Sequence, residues 1–332
     1  MTTTDVTNGA AARIPAVGAT PVTVPAGAAS SETEGITRGR LVMRRFVRNR
    51  LALAGLATLV LLYLLALTSP LFAPWAYSEY DYTAFLQAPS ASHWFGTSQI
   101  GEDVFAQTMR GLQKSLSIGL LTAAVSIVIA SVVGASAGYF GGWVDRGLMW
   151  VVDLLLVLPS FLIIAIISPA LRGDSWILFV LLLGLFAWMI TARILRGMTL
   201  TLREREFVKA AKFMGAPPRT IIRRHILPNM ASLMIIDVTI TVGATILLET
   251  GLSFFGFGIQ PPDVSLGTLI RDGSTASLTT PWLFLFSGGL LVIAVLAVNF
   301  VGDGLRDAFD PQSRGGQRRQ QKKAAPAQKA AF

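Results

Sequence analysis

The chain has 332 residues, of which 52% are hydrophobic and only 14% charged, with a mean hydropathy of +0.58. Soluble domains run nearer a quarter charged, so this composition belongs to the membrane class. Cysteine is absent, which excludes disulfide frameworks, thiolate metal sites and cysteine nucleophiles, while a net charge of +9 calls for a reading of where the charges sit.

Residues 1–37 are rich in Thr, Ala, Gly and Pro and show little periodicity, so they are predicted to form a disordered tail. The first apolar run starts only after about fifty residues and has no short n-region before it, which predicts a retained anchor rather than a cleaved signal peptide. Six runs are long enough to span a bilayer: 51–69, 115–138, 147–170, 176–192, 233–257 and 282–301. The expectation is an all-α integral membrane protein with six transmembrane helices. Residues 38–69 supply a basic juxtamembrane segment and the first helix, 70–114 an extracytoplasmic segment, 115–303 the main bundle and 304–332 a basic cytoplasmic tail.

Orientation follows from the basic residues. With the N-terminus in the cytoplasm, only Arg110, Lys114, Arg172 and Arg271 fall outside, and the remaining 24 of the 28 Lys and Arg lie inside. The inner set includes Arg38 to Arg50 before the first span, nine residues between Arg193 and Arg224, and the cluster at 314–329. That asymmetry predicts cytoplasmic termini at both ends. It also assigns the charge to topology and to anionic membrane lipid, and excludes nucleic acid as a partner.

Within the spans, Gly134 and Gly138 have the spacing that lets helices approach closely, and Gly142 continues the series. Pro159 is predicted to kink the third span. Three acids, Asp153, Asp237 and Glu249, fall within or near apolar runs. Intramembrane carboxylates face a bundle interior, a wet cavity or a partner, so these three are candidates for the substrate path, with a structural role as the alternative.

Other chemistry is missing. No phosphate loop of the GxxxxGK[ST] type occurs, so the chain has no P-loop site for ATP. His93 and His225 fall on opposite sides of the membrane in this topology and share no metal site. No nucleophile–base arrangement is present. No catalysis, no metal and no cofactor are expected in this chain.

The charged segment 204–229, EREFVKAAKFMGAPPRTIIRRHILPN, lies between the fourth and fifth runs. Phe207, Ala210 or Ala211, and Met214 recur at helical spacing and mark one apolar face, with Arg205, Lys209 and Lys212 over much of the rest. Gly215 suits the left-handed position that ends a helix, and Pro217-Pro218 prevents its continuation. A second helix is predicted from Pro218 to Leu227, broken by Pro228 before the fifth span. An interfacial helix on anionic lipid is the simplest alternative.

Residues 209–228 resemble the EAA loop of binding-protein-dependent ABC importer permeases. Lys209, Ala210, Ala211, Gly215, His225, Leu227 and Pro228 occupy the motif positions, with Lys209 replacing the acid and His225 the isoleucine. The stretches GYFGGWVDRGLMWVVDLLLVLPS (138–160), LETGLSFFGFGIQPPDVSLGTLI (248–270) and NFVGDGLRDAFDP (299–311) are similar to the C-type subunit of the dipeptide, oligopeptide and nickel permeases. HWFGTSQIGEDVFAQTMRG (93–111) is similar to that group's outer stretch and departs from it at Ser98 and Glu102.

The resemblance covers roughly residues 38–311 and implies a type I ABC importer permease fold in a bacterial inner membrane. It implies a homologous B-type permease, two ABC ATPase domains holding ATP and Mg, and an extracytoplasmic solute-binding protein as partners. Phe207, Lys209, Ala210, Ala211, Met214, Gly215, Leu227 and Pro228 become the ATPase-coupling residues. Dipeptides or oligopeptides are the expected cargo; a nickel or metal chelate, or glutathione, is the alternative. An ion-coupled secondary transporter using Asp153, Asp237 or Glu249 is the reading from another class.

Overall fold

The computed structural model describes residues 38–171 and 176–309. The tail 1–37, Arg172 and the basic cluster at 314–329 lie outside the described residues. Backbone contacts separate Met1–Arg38 from Gly39–Phe332, and the helical bundle is built from the second of these units. No strand occurs among the described residues, only two isolated bridges, Tyr80 with Glu102 and Thr97 with Asp103.

The helices are α1 (Arg38–Arg48), α2 (Arg50–Thr68), α3 (Val104–Phe140), α4 (Gly142–Val157), α5 (Ser160–Ile167), α6 (Trp176–Ala187), α7 (Met189–Arg203), α8 (Glu206–Phe213), α9 (Pro218–Ile221), α10 (Leu227–Phe254), α11 (Leu266–Ser274) and α12 (Trp282–Phe309). Four continuous stretches are long and apolar enough to cross a bilayer: Arg50–Leu71, Val104–Phe140, Pro218–Phe254 and Trp282–Phe309. Two bent pairs, α4 with α5 and α6 with α7, bring the total to as many as six if each pair is one span.

The predicted runs are largely helical, but several ends move: the fifth run stops at Phe254, short of 257, while others extend outward. α3 starts at Val104 rather than 115, and α12 continues to Phe309, into the stretch expected to be tail. Hydropathy stops where polar residues begin, yet those residues stay helical because they pair within the bundle. Asp103 caps α3, its carboxylate accepting the Ala106 N–H at 2.8 Å.

Pro159 does more than kink. Leu158 and Pro159 leave the helical region, and the axes of α4 and α5 diverge by 77°. A second bend of 46°, at Trp188 between α6 and α7, has no proline to announce it. Pro228, expected to end a helix, instead sits in the first turn of α10, where its missing N–H costs nothing. The ladder opens just before it in a π turn, Ile222–Ile226, in which the Leu227 N–H bonds the Ile222 carbonyl. The Asn229 amide then donates to the His225 carbonyl at 2.6 Å.

Small residues set the helix spacing, because lipid offers no hydrophobic drive for helices to associate. A Cβ at Gly134 would stand 2.5 Å from the Ala192 carbonyl oxygen, and one at Gly138 2.6 Å from the Thr199 Cβ, so the predicted glycine pair forms the α3–α7 seam. Gly142 takes no part in it; it has a φ of +55° and opens α4 in free space. Gly55 does the same between α2 and α12 as the pair does in that seam, since a Cβ there would meet the Ala297 carbonyl at 2.7 Å.

Candidate functional site

The segment 204–229 is built around α8. Val208 and Ala211 are each 2% exposed and pack into a core with Trp188, Ala192, Leu195, Ile221, Ile226 and Met230. The remaining arc of α8 faces out. Phe213 is 91% exposed and Met214 80%, with Phe207 and Ala210 exposed beside them. The stripe predicted from Phe207, Ala210, Ala211 and Met214 therefore divides: Ala211 fastens the helix to its own bundle, and the others form an open apolar patch. Both faces are apolar, so periodicity alone could not separate them.

The helix ends as its sequence foretells. Gly215 has a φ of +78°. Its N–H bonds the Lys212 carbonyl at 3.0 Å, and the Ala216 N–H bonds the Ala211 carbonyl at 3.1 Å, which is the Schellman pairing. Pro217 then caps α9, with Pro218 at its first position. Lys209, at the position where the motif carries an acid, meets Glu204 at 3.1 Å. The hydrogen bond from Lys209 is the main cause that holds the Glu204 carboxyl below its ordinary range. Leu227 is half-buried and Pro228 exposed at the start of α10.

The three bundle acids do not converge. Asp153 is exposed and ion-paired with Arg193 across α4 and α7. Nearer the start of α4, Asp145 takes two bonds from Arg196, that between Oδ2 and Nη2 being 2.6 Å. Asp237 is half-buried and accepts from the Thr191 hydroxyl at 2.9 Å. Glu249 lies on the same helix as Asp237, twelve residues on and so about 18 Å along the axis. It is 0% exposed, and both of its oxygens are held by serine hydroxyls of this chain.

The far end of the bundle carries contacts that sequence reading missed. Buried His93 lies with Nδ1 2.9 Å from Asp103 Oδ2 and Nε2 3.5 Å from Asp81 Oδ2, its ring stacked on Trp75. Asp263 receives Arg110 at 3.1 Å and Lys114 at 2.8 Å, and Lys114 also lies over the Trp176 ring. The one signal for that clamp was the spacing of Arg110 and Lys114, one helical turn apart. Burial raises the Glu102 carboxyl above the 4.5 of an ordinary glutamate. It borders a cleft of about 400 Å³ with Ser98, Gln107, Arg271 and Asp272. Among the described residues no group of three His, Asp or Glu side chains is arranged to hold a metal ion.

Two family models match the chain. Residues 130–315 match the binding-protein-dependent transport system inner membrane component, and residues 37–89 match the N-terminal TM domain of oligopeptide transport permease C. The chain is 56% identical over 283 residues to the oligopeptide transport system permease protein of Mycobacterium tuberculosis strain H37Rv, covering 85% of this chain and 97% of the relative. It is 37% identical over 285 residues to the protein of the same name from Haemophilus influenzae, covering 85% and 91%.

Proposed function

The chain belongs to the binding-protein-dependent transport system inner membrane components, and from that premise we propose how it works as half of an importer. It is a multi-pass inner-membrane permease of an ABC importer for oligopeptides. In our reading each bent pair is one span, giving six, with both termini cytoplasmic as the inner set of 24 basic residues requires. The loop that carries α8 then faces the cytoplasm.

The exposed apolar arc of Phe207, Ala210, Phe213 and Met214 is the observation that carries the coupling role. A patch of this kind on a short helix marks a protein contact. We assign it to the surface of a cytoplasmic ABC ATPase domain, two such domains holding the ATP and Mg for which this chain has no phosphate loop. Ala211 and Gly215 fix the helix in place, and Leu227 and Pro228 pass its displacement into α10. Lys209 serves the loop itself through Glu204.

A homologous B-type permease completes the path, and a solute-binding protein delivers cargo at the far end, beside the cleft at Glu102 and Arg271. Asp153 and Asp237 are the acids open to such a path; Glu249, closed within this chain, is not. ATP closure of the partner ATPases shifts the bundle between two packings.

Co-purification tests the coupling role. Phe213→Asp with Met214→Asp should strip the ATPase subunits from the detergent-solubilised importer while the B-type permease stays bound. Full ATPase retention by that variant would overturn the assignment.

A further inference from the structure

Glu249 is a fully buried ionisable side chain that the coupling scheme leaves unused. Among the described residues no Lys, Arg or His nitrogen lies within ion-pairing distance of it. Instead Oε2 accepts from the Ser115 hydroxyl of α3 at 3.0 Å, and Oε1 accepts from the Ser253 hydroxyl of α10 at 2.7 Å.

Proton counting shows what these bonds accomplish. A serine hydroxyl has one proton and two acceptor positions. Each serine spends its proton on Glu249, which turns its lone pairs toward the segment after α10. Ser115 Oγ accepts the Leu266 N–H at 3.3 Å; Ser253 Oγ accepts the Ile259 N–H and the Ser265 hydroxyl, each at 3.2 Å. Ser265 is in turn the capping residue of α11, closing a reciprocal box with Thr268. Glu249 thus holds segment 255–274 through the two serines, and the Ser265 hydroxyl of that segment also stands within reach of the carboxylate itself.

Steric fit agrees. A Cβ on Gly111 would stand 2.9 Å from the Ser265 carbonyl carbon, and one on Gly267 2.7 Å from the Thr250 Cα. One turn apart on α3, Arg110 and Lys114 grip Asp263 of the same segment. The far-end segment is thus pinned to α3 and to the end of the helix that begins at the coupling loop.

We propose that Glu249 is a positioning residue for transport: as a hydrogen-bond acceptor working through Ser115 and Ser253, it makes segment 255–274 move with α10. Only the activity readout rests on the coupling role assigned above.

The test uses the whole importer with its ATPases and peptide-loaded binding protein, comparing Glu249→Leu with Glu249→Gln. Leu266→Cys gives the chain one thiol, at a buried position, for a membrane-impermeant maleimide. Labelling of that thiol should rise about tenfold with Glu249→Leu, the shift expected when a buried acceptor is lost, and clearly less with Glu249→Gln, whose single amide oxygen still accepts from one of the two serines. Binding-protein stimulation of ATP hydrolysis should fall in the same order, by a similar factor in the leucine variant and by less in the glutamine variant, with basal hydrolysis retained.

Unchanged labelling in Glu249→Leu overturns the proposal. So does equally raised labelling in the two variants, which would give the role to charge, and so does raised labelling with normal stimulation. If the leucine variant fails to assemble, Ser115→Ala with Ser253→Ala removes the relays at little cost in volume, and parent-level labelling there overturns it equally. An absent response in the parent complex would count against the coupling role, and the labelling result would still decide the latch.

Discussion

Gly134 of α3 lies against the main chain of Ala192 in α7, with room for a hydrogen but not for a methyl group. Gly134→Ala should therefore destabilise the importer by about 1–3 kcal/mol, as overpacked sites do. Gly197→Ala is the control, since a Cβ there meets nothing within 4 Å and alanine is the better helix former. Thermal unfolding of the purified complex should separate the two; equal melting temperatures would contradict the close seam.

Gly215 is constrained differently. Nothing lies within 4 Å of its missing Cβ, so only its φ of +78° resists substitution. Gly215→Ala should cost about 1 kcal/mol and Gly215→Asn less, because asparagine tolerates the left-handed region. The cost is expected as weakened ATPase stimulation with the permease pair intact. A larger loss with asparagine than with alanine would point to a contact instead.

Lys209 and Glu204 neutralise each other, both well exposed. Exposed pairs contribute little to stability. Lys209→Met should leave the melting temperature unchanged and stimulated ATP hydrolysis within about twofold of the parent, because the patch we assign to docking is apolar rather than ionic. Lys209→Glu places two acids together and should weaken coupling in low salt, with recovery as salt screens them. Loss of coupling that salt does not relieve would show that Lys209 meets the ATPase directly.

Glu102 supplies a pH test. Burial raises its carboxyl in the folded state, so the native form binds its proton more tightly than the unfolded chain does. Stability from this group is therefore gained as pH falls through the raised value, and lost above it. Glu102→Gln should raise the melting temperature at pH 7, with the difference closing as pH drops toward 4.5. A gap that widens on acidification would reverse the sign and refute the burial argument.

Much of the architecture was legible in the sequence because apolar runs, basic loops and Pro159 act locally. Span ends were not, since Gln107, Arg110 and Lys114 look like loop residues until Asp263 is folded against two of them. The bend at Trp188 has no local signal at all. Pro228 misled because a breaker and a first-turn proline are the same residue, and the π turn ahead of it decides between them. In segment 204–229 Gly215 was readable from its chemistry, whereas the division of α8 into a fastened and an open face needed the bundle. The bond from Ser115 to Glu249 was invisible, since the two are 134 positions apart.

The stretch Pro218–Phe254 runs 37 residues, or about 55 Å at helical rise, against about 30 Å of hydrocarbon. As a lever, it would be longer than the barrier it crosses. Pivoting by about 10° at one end would sweep the other through roughly 10 Å, by the same geometry. A nudge of a few ångströms on α8, close to the fulcrum, would thus be magnified at the far mouth. The π turn at Ile222–Ile226 is where such an arm would flex, which makes its stiffness a setting for how much of each stroke reaches the cargo.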